Sequence, residues 1–287
     1  MTFHQDRSLL ALSRLRRFLA PAVLNAFDAV VTESDGQSPA EFWPKVIAAI
    51  TDRNDLLLSR RWRFASRRAL DVLIEEILCA QEYFAETTAS EPRIIDLGAN
   101  FGLATFFFRR CYPNSLIEAF EPNPALADIM QLNLDRNDWN AAVNLQRVAI
   151  SDRDGETSFF VSADEDAASS LIAARAPQDA QEIRVPTVDI RSLLDRPVTL
   201  LKIDVEGAEG AIFRAAGQQL RACETIIGES HSMEGSNTLL PVLTALDAAG
   251  FEWSVARSVW DERGDRLRLA RHVHKRQSYA FFARRKD

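Results

Sequence analysis

Arg93-Ile94-Ile95-Asp96-Leu97-Gly98-Ala99-Asn100-Phe101-Gly102 is the stretch on which the reading of the fold turns. A short apolar run ends in an acid, two glycines follow, and an apolar helical pattern starts behind them. This is the grammar of a buried strand, a tight turn and a helix N-terminus, a place where the backbone can come close to a cofactor. Gly98 permits the sharp exit from the strand, and Gly102 lets the helix start lie near a ligand or the sheet. A dinucleotide fingerprint would need glycines at 98, 100 and 103, but Asn100 and Leu103 stand at the last two. That spacing argues against NAD or FAD, and the chain has no G-x-x-x-x-G-K-[ST] phosphate loop.

Three further stretches work outward from this one. Phe120-Glu121-Pro122-Asn123-Pro124 closes the next expected strand, with Glu121 lying 23 residues beyond Gly98. An acid there is placed to accept the hydroxyl protons of a ribose, while Pro122 and Pro124 stiffen the turn and start a helix. Leu200-Leu201-Lys202-Ile203-Asp204-Val205-Glu206-Gly207-Ala208-Glu209 puts three acids at the carboxyl end of another strand, the edge where open α/β sheets bind ligands. Glu206 and Glu209 also suit a helix N-terminus on dipole grounds alone. Ile226-Ile227-Gly228-Glu229-Ser230-His231 ends the strand after that. A lone histidine is more often structural, but the position of His231 at this edge makes it a candidate general base.

The 287 residues, 47% of them apolar, suffice for one large α/β domain with a smaller appendage. Net charge is −7 but uneven: −1 over residues 1–90, −12 over 91–256 and +6 over 257–287. The acidic middle argues against a nucleic-acid-binding core and suits a cationic ligand. The basic end reads as solvated surface, with a patch for an anionic acceptor as the second reading. Cys79, Cys111 and Cys223 are scattered without metal or disulfide spacing, which fits a cytoplasmic setting. The first residues lack a compact apolar leader, and no run is long enough to span a membrane.

Residues 1–90 show helical periodicity over 6–31, from 38 to about 50, and over 66–86, around a polar turn cluster at 32–40. They read as a helical appendage, a lid or an oligomerisation surface, ahead of a main domain over 91–287. From Pro92 onward strands are expected at 93–97, 115–120, 143–149, 198–204, 223–229, 251–256 and 277–283. Helices are expected at 102–111, 124–136, 207–220 and 236–249, and two further β-like runs, Thr157–Val161 and Glu182–Val188, lie in an insert. This alternation predicts a doubly wound, mostly parallel seven-stranded sheet with an antiparallel end.

The motifs IIDLGANFG (94–102), FEPNP (120–124), VAISDRDG (148–155), Ala168-Ser169-Ser170-Leu171, VPTVDI (185–190), LLKIDVEGAE (200–209) and IIGESH (226–231) resemble the FkbM-type methyltransferases. The resemblance runs from about Arg93 to Phe251 and leaves residues 1–90 and the basic end outside. It implies a class I (Rossmann-like) methyltransferase domain and S-adenosylmethionine (SAM) as cofactor. By resemblance Asp96, Gly98, Asn100 and Gly102 line the methionine and ribose part of SAM, and Glu121 holds the ribose hydroxyls. Asn123 and the segment from Ala149 to Ser151 border the adenine, and Asp204 faces the sulfonium and the acceptor. Gly228 and Ser230 depart from the family pattern, in which apolar residues more often flank the acid at 229.

The expected activity is O-methylation of a hydroxyl on a sugar, glycan or natural product, with His231 or Asp204 as base and Glu229 orienting. A variant places Mg²⁺ on Asp204, Glu206 and Glu229; the metal-free form is the preferred one. No nucleic-acid partner is expected, and the appendage leaves homo-oligomerisation open. The rival readings are a non-catalytic interaction module on the same fold and a nucleotide-dependent oxidoreductase.

Overall fold

The computed structural model describes residues 14, 62–66, 69–70, 73–161, 180–232, 238–257 and 277–286. The expected helices over 6–31 and 38–50, the turn cluster at 32–40, the Ala168–Leu171 motif and most of the basic end lie outside the described residues.

Strands β1 (Arg93–Leu97), β2 (Leu116–Phe120), β3 (Val143–Gln146), β7 (Val198–Ile203), β8 (Cys223–Ser232), β9 (Phe251–Arg257) and β10 (Gln277–Arg285) form one sheet in the order β3-β2-β1-β7-β8-β10-β9. Pairing is parallel from β3 through β8, and β10 runs antiparallel to both β8 and β9. The seven-stranded, mostly parallel sheet with its antiparallel end is as the sequence pattern predicts. Strand order reverses direction between β1 and β7, so the carboxyl ends of β1, β2, β7 and β8 open on one edge around a topological switch point.

Side-chain alternation divides the core into two layers. Ile94, Leu200 and Ile227 join a cluster with Phe101, Phe106, Phe107, Phe108, Met130 and Leu134 on one face. Ile95, Leu97, Leu201, Ile203 and Ile226 join Ile212, Phe213, Val242 and Leu246 on the other. Helices α1 (Leu103–Cys111) and α2 (Pro124–Arg136) supply the first layer; α4 (Glu209–Ala216) and α5 (Leu239–Ala248) supply the second. Trp62, Leu70, Ile74, Ile77 and Tyr83 are buried in the first layer too, so the described part of the N-terminal segment is integral to the domain core. Within it Ile74–Ala80 is wound as a π-helix, whose end is met by Arg14 donating to the Ala80 carbonyl at 3.2 Å.

The expected strand over 143–149 is two strands. The Gln146 carbonyl ends β3 by accepting the Glu121 N–H at 3.0 Å, and β4 (Ala149–Ser151) leaves to pair with β6 (Gln181–Asp189). With β5 (Gly155–Val161) these make a separate three-stranded sheet, which a short helix α3 (Ile190–Leu193) follows. Helix α4 starts at Glu209 rather than at 207, because Glu206 and Gly207 take left-handed backbone, φ 55° and 110°. Strand β8 continues to Ser232, three residues past the expected end, because β10 pairs it there: Ser278 opposes His231 and Gln277 opposes Ser232. His231 is therefore a strand residue rather than part of a loop.

Candidate active site at the strand carboxyl ends

The glycine turn is clamped to the end of β2. Gly98 and Ala99 both donate to the Phe120 carbonyl at 3.0 Å. Gly98 has φ +77°, and a Cβ built on it would sit 1.8 Å from the Asp204 carbonyl oxygen, so only glycine fits between β1 and β7. Asn100 takes left-handed backbone at φ 53° and donates its N–H to Glu121 Oε2 at 2.8 Å. The Asn123 N–H donates to Glu121 Oε1, also at 2.8 Å, and the Asn123 side chain caps α2 by accepting from Ala125 at 3.0 Å. Glu121 is buried, and burial pushes its carboxyl up to about 7, against the two backbone donors that favour the charge.

Lys202 joins this turn to the next strand end. Its Nζ donates to the Gly98 carbonyl at 2.7 Å and the Leu97 carbonyl at 3.2 Å, and lies 3.3 Å from Asp96 Oδ1 and 4.0 Å from Asp204 Oδ2. Burial works to deprotonate it, but Asp96 and Asp204 outweigh burial and hold the ammonium above the ordinary lysine value. Asp96 is fully buried and accepts from Thr105 Oγ1 at 2.8 Å. The Tyr83 ring lies under the Lys202 ammonium, 5.3 Å to its centroid, and its hydroxyl donates to Asp204 Oδ2 at 3.3 Å.

The second group centres on His231. Glu209 Oε1 accepts N–H bonds from Gly207 at 2.9 Å and Val205 at 3.3 Å, so it is an acceptor toward His231 Nδ1, 3.1 Å away. Nδ1–H is thus the donor, and Nε2 faces Glu229 Oε2 at 3.4 Å and Asp204 Oδ1 and Glu206 Oε1 at 3.8 Å each. Burial disfavours the imidazolium, but Glu206, Glu209 and Glu229 more than compensate and hold His231 well above the ordinary histidine value. Glu76, on the π-helix, adds a fifth nearby carboxyl. Burial first, then Glu229, Glu82 and Asp204, push it up to about 10, so it is neutral at neutral pH. Tyr83 is raised well above the ordinary phenol value by burial and then by Asp204 and Glu229.

Residues 96–253 match the description "Methyltransferase FkbM domain", more than half of the chain. The chain belongs to the FkbM methyltransferase family. "Methyltransferase 1" of Beauveria bassiana (strain ARSEF 2860) is 25% identical over 221 residues, 68% of this chain and 86% of that protein. "Methyltransferase sdnD" of Sordaria araneosa is 25% identical over 247 residues, 74% and 94% of the two chains. Among solved structures, the FkbM methyltransferase of Methylobacillus flagellatus KT matches 96% of this chain at 12% identity and TM-score 0.47; the match spans 59% of that protein's chain. The sheet described above is the class I, Rossmann-like methyltransferase architecture of this FkbM member. Among the described residues no helix is long and apolar enough to cross a membrane.

The sequence-expected residues fall into two groups along this edge. Asp96, Gly98, Asn100, Gly102, Glu121 and Asn123 surround the β1 and β2 ends. Asp204, Glu206, Glu229 and His231 converge on one imidazole nitrogen. Ala149 is buried on β4, and Ser151 turns its hydroxyl to Asp152 at 3.2 Å. Four contributors were missed. Lys202 announced itself as a lysine inside an apolar strand run, which demands a charged partner. Glu209 was legible as one of three strand-end acids, but nothing in the sequence paired it with His231. Glu76 and Tyr83 carried no signal, because their relation to the motifs exists only in the packed fold.

Proposed function

We propose that this FkbM-family chain transfers a methyl group from SAM to a hydroxyl of a sugar, glycan or natural-product acceptor. The observation that carries this reading is the buried Lys202, which ties a ribose-type carboxylate, Glu121, and an acid–imidazole group, Asp204 and His231, to the same sheet edge. The donor set fits the cofactor. A carboxylate offers about four acceptor sites; two of those on Glu121 are taken by backbone N–H groups, and the remainder suit a ribose diol. Asp96, Gly98, Asn100 and Gly102 would hold the methionine and ribose part, with Asn123, Ala149 and Ser151 along the adenine. When bound, SAM supplies an electrophilic methyl group on a sulfonium.

The chain's own residues supply the rest. Asp204, the most solvent-reachable of the His231-facing acids apart from Glu206, accepts the proton of the acceptor hydroxyl. His231, held in orientation by Glu209, aligns Asp204 and Glu229 around the acceptor oxygen. The segment before Pro92 reaches this group through Tyr83, whose hydroxyl donates to Asp204, and through Glu76, so its described part serves the group as a fixed wall.

Thermal shift with S-adenosylhomocysteine (SAH), NADH and ATP tests the cofactor. SAH alone is expected to stabilise the protein, and absence of a shift with SAH sinks the reading. Methyl transfer to a pool of hydroxyl-rich acceptors tests the reaction. In the same assay His231→Ala is expected to lower turnover by about 10²-fold or more while SAH affinity stays within about twofold.

A further inference from the structure

We propose that Asp204, Glu206 and His231 form a binding site for one divalent first-row transition-metal ion, of the Mn²⁺ or Zn²⁺ type, with Glu209 as its positioning residue. The inference rests on the reading of this edge as the acceptor site and deepens it.

One ligand atom from each of the three residues lies within 4.8 Å of the other two. A single ion at about 2.1 Å from each ligand spans ligand pairs up to about 4.2 Å. The two His231–carboxylate separations of 3.8 Å already satisfy that span. The widest pair closes by a small rotation of the partly buried Glu206 side chain.

Two observations beyond the clustering point to a cation. First, the imidazole is presented as a metal ligand is presented. Its Nδ1–H is bound by the fully buried Glu209, which leaves Nε2 directed at the carboxylates, the carboxylate–histidine arrangement that orients ligating imidazoles, and an ion bound at Nε2 displaces the proton there to solvent. Second, polar atoms around it lack partners. Asp204 Oδ1, the atom facing Nε2, is buried without a hydrogen bond. Glu76 Oε1 is likewise unpartnered, and its side chain, 5% exposed, has Glu229, Asp204 and His231 among its charged neighbours. Buried oxygens without partners are costly, and a cation held by Asp204 relieves that cost at Oδ1.

The donor set selects the ion. Two carboxylate oxygens with one imidazole nitrogen suit Mn²⁺ or Zn²⁺ better than Mg²⁺, which prefers an all-oxygen octahedron. Three protein ligands leave coordination positions open, as in catalytic metal sites, and an oxygen of the methyl acceptor is the ligand they fit. The set therefore differs from the all-carboxylate Mg²⁺ variant in that His231 replaces Glu229.

The test is calorimetric titration of the full chain, freed of metal with a chelator, with MnCl₂, ZnCl₂ and MgCl₂ in separate runs without SAM. One Mn²⁺ or Zn²⁺ per chain is expected, with Mg²⁺ at least about tenfold weaker. Asp204→Asn and His231→Gln should each weaken Mn²⁺ by at least about tenfold, and Glu209→Gln, which acts only through the imidazole, by about 10- to 100-fold. Co²⁺ loading should give ligand-field bands that change in His231→Gln. Absence of stoichiometric binding, or binding that Asp204→Asn and His231→Gln leave unchanged, overturns the site; equal affinity for Mg²⁺ overturns the part given to the imidazole. If either variant fails to fold, the partly exposed Glu206→Gln replaces it under the same criterion. SAH binding is measured in parallel, so loss of the metal site and loss of the methyl-donor reading give different results.

Discussion

The two halves of the site, the β1–β2 end and the β7–β8 end, are built on opposite principles. At the β1–β2 end negative charge is met within the protein, although Asp96 Oδ1, 3.3 Å from the Lys202 ammonium, takes no hydrogen bond. Glu121 receives two backbone N–H bonds, Asp96 receives Thr105 and faces Lys202, and the glycine turn is held by the Phe120 carbonyl. At the β7–β8 end negative charge is in excess. Three carboxylates crowd one imidazole nitrogen, the Glu76 carboxyl stays neutral behind them, and two oxygens lack partners. On the proposed reading the first half receives neutral hydroxyl donors without moving, and the second half is completed by positive charge. A methyl transfer needs both, because one holds the donor still while the other must change the state of the acceptor.

Lys202 is the point at which this contrast is most easily broken, since it is the cation shared by both halves. Lys202→Met leaves the fully buried Asp96 and the partly buried Asp204 opposite an uncharged neighbour, at an expected cost of about 3–5 kcal/mol in chemical unfolding. SAH affinity should fall in the same variant because the Gly98 carbonyl loses its anchor. Unchanged stability would show that the two halves are independent.

Glu121→Ala sharpens the comparison from the cofactor side. It should weaken SAH binding by about 1–3 kcal/mol, the scale of a charged hydrogen-bond acceptor. Cation binding at His231 should be unaffected, because Glu121 takes no part there. Isothermal calorimetry with both ligands reads the two effects side by side, and loss of both would merge the halves into one unit.

The smallest expected effect is a pH dependence. The folded carboxyl of Glu121, at about 7, lies above its ordinary value of 4.5, so between these two the folded state keeps a proton that the unfolded state has lost. Glu121 therefore lowers stability as pH rises through that window, rather than adding to it. Ribose hydroxyls favour the ionised form, so SAH should bind on the order of fivefold tighter at about pH 8 than at about pH 6. A Glu121→Gln variant should flatten that profile, whereas an equal slope in the variant would assign it to another group.

Much of this molecule is legible in the chain. Strand β1 and helix α2 begin and end where the pattern places them, because a buried apolar run with flanking Pro92 and Gly98, and an Asn123–Pro124 start, are local instructions. The split of 143–149 was not legible, since Val148, Ala149 and Ile150 are equally good β residues in either sheet. Which sheet they join depends on the Glu121–Gln146 bond and on the distant strand β6.

The sequence by itself determined the family, the order of strands and helices and the acids at the strand ends, because motif spacing and hydrophobic period are written residue by residue. Only the tertiary structure decided which of those acids meet. Glu209 became the partner of His231 because β10 extends β8 far enough to carry the imidazole over the start of α4. Glu76 and Tyr83 entered the site because the segment before Pro92 packs on the same sheet face as α1. Such encounters are set by the closure of long loops and by burial, which change a carboxyl from a solvated surface acid into a group that must find a partner.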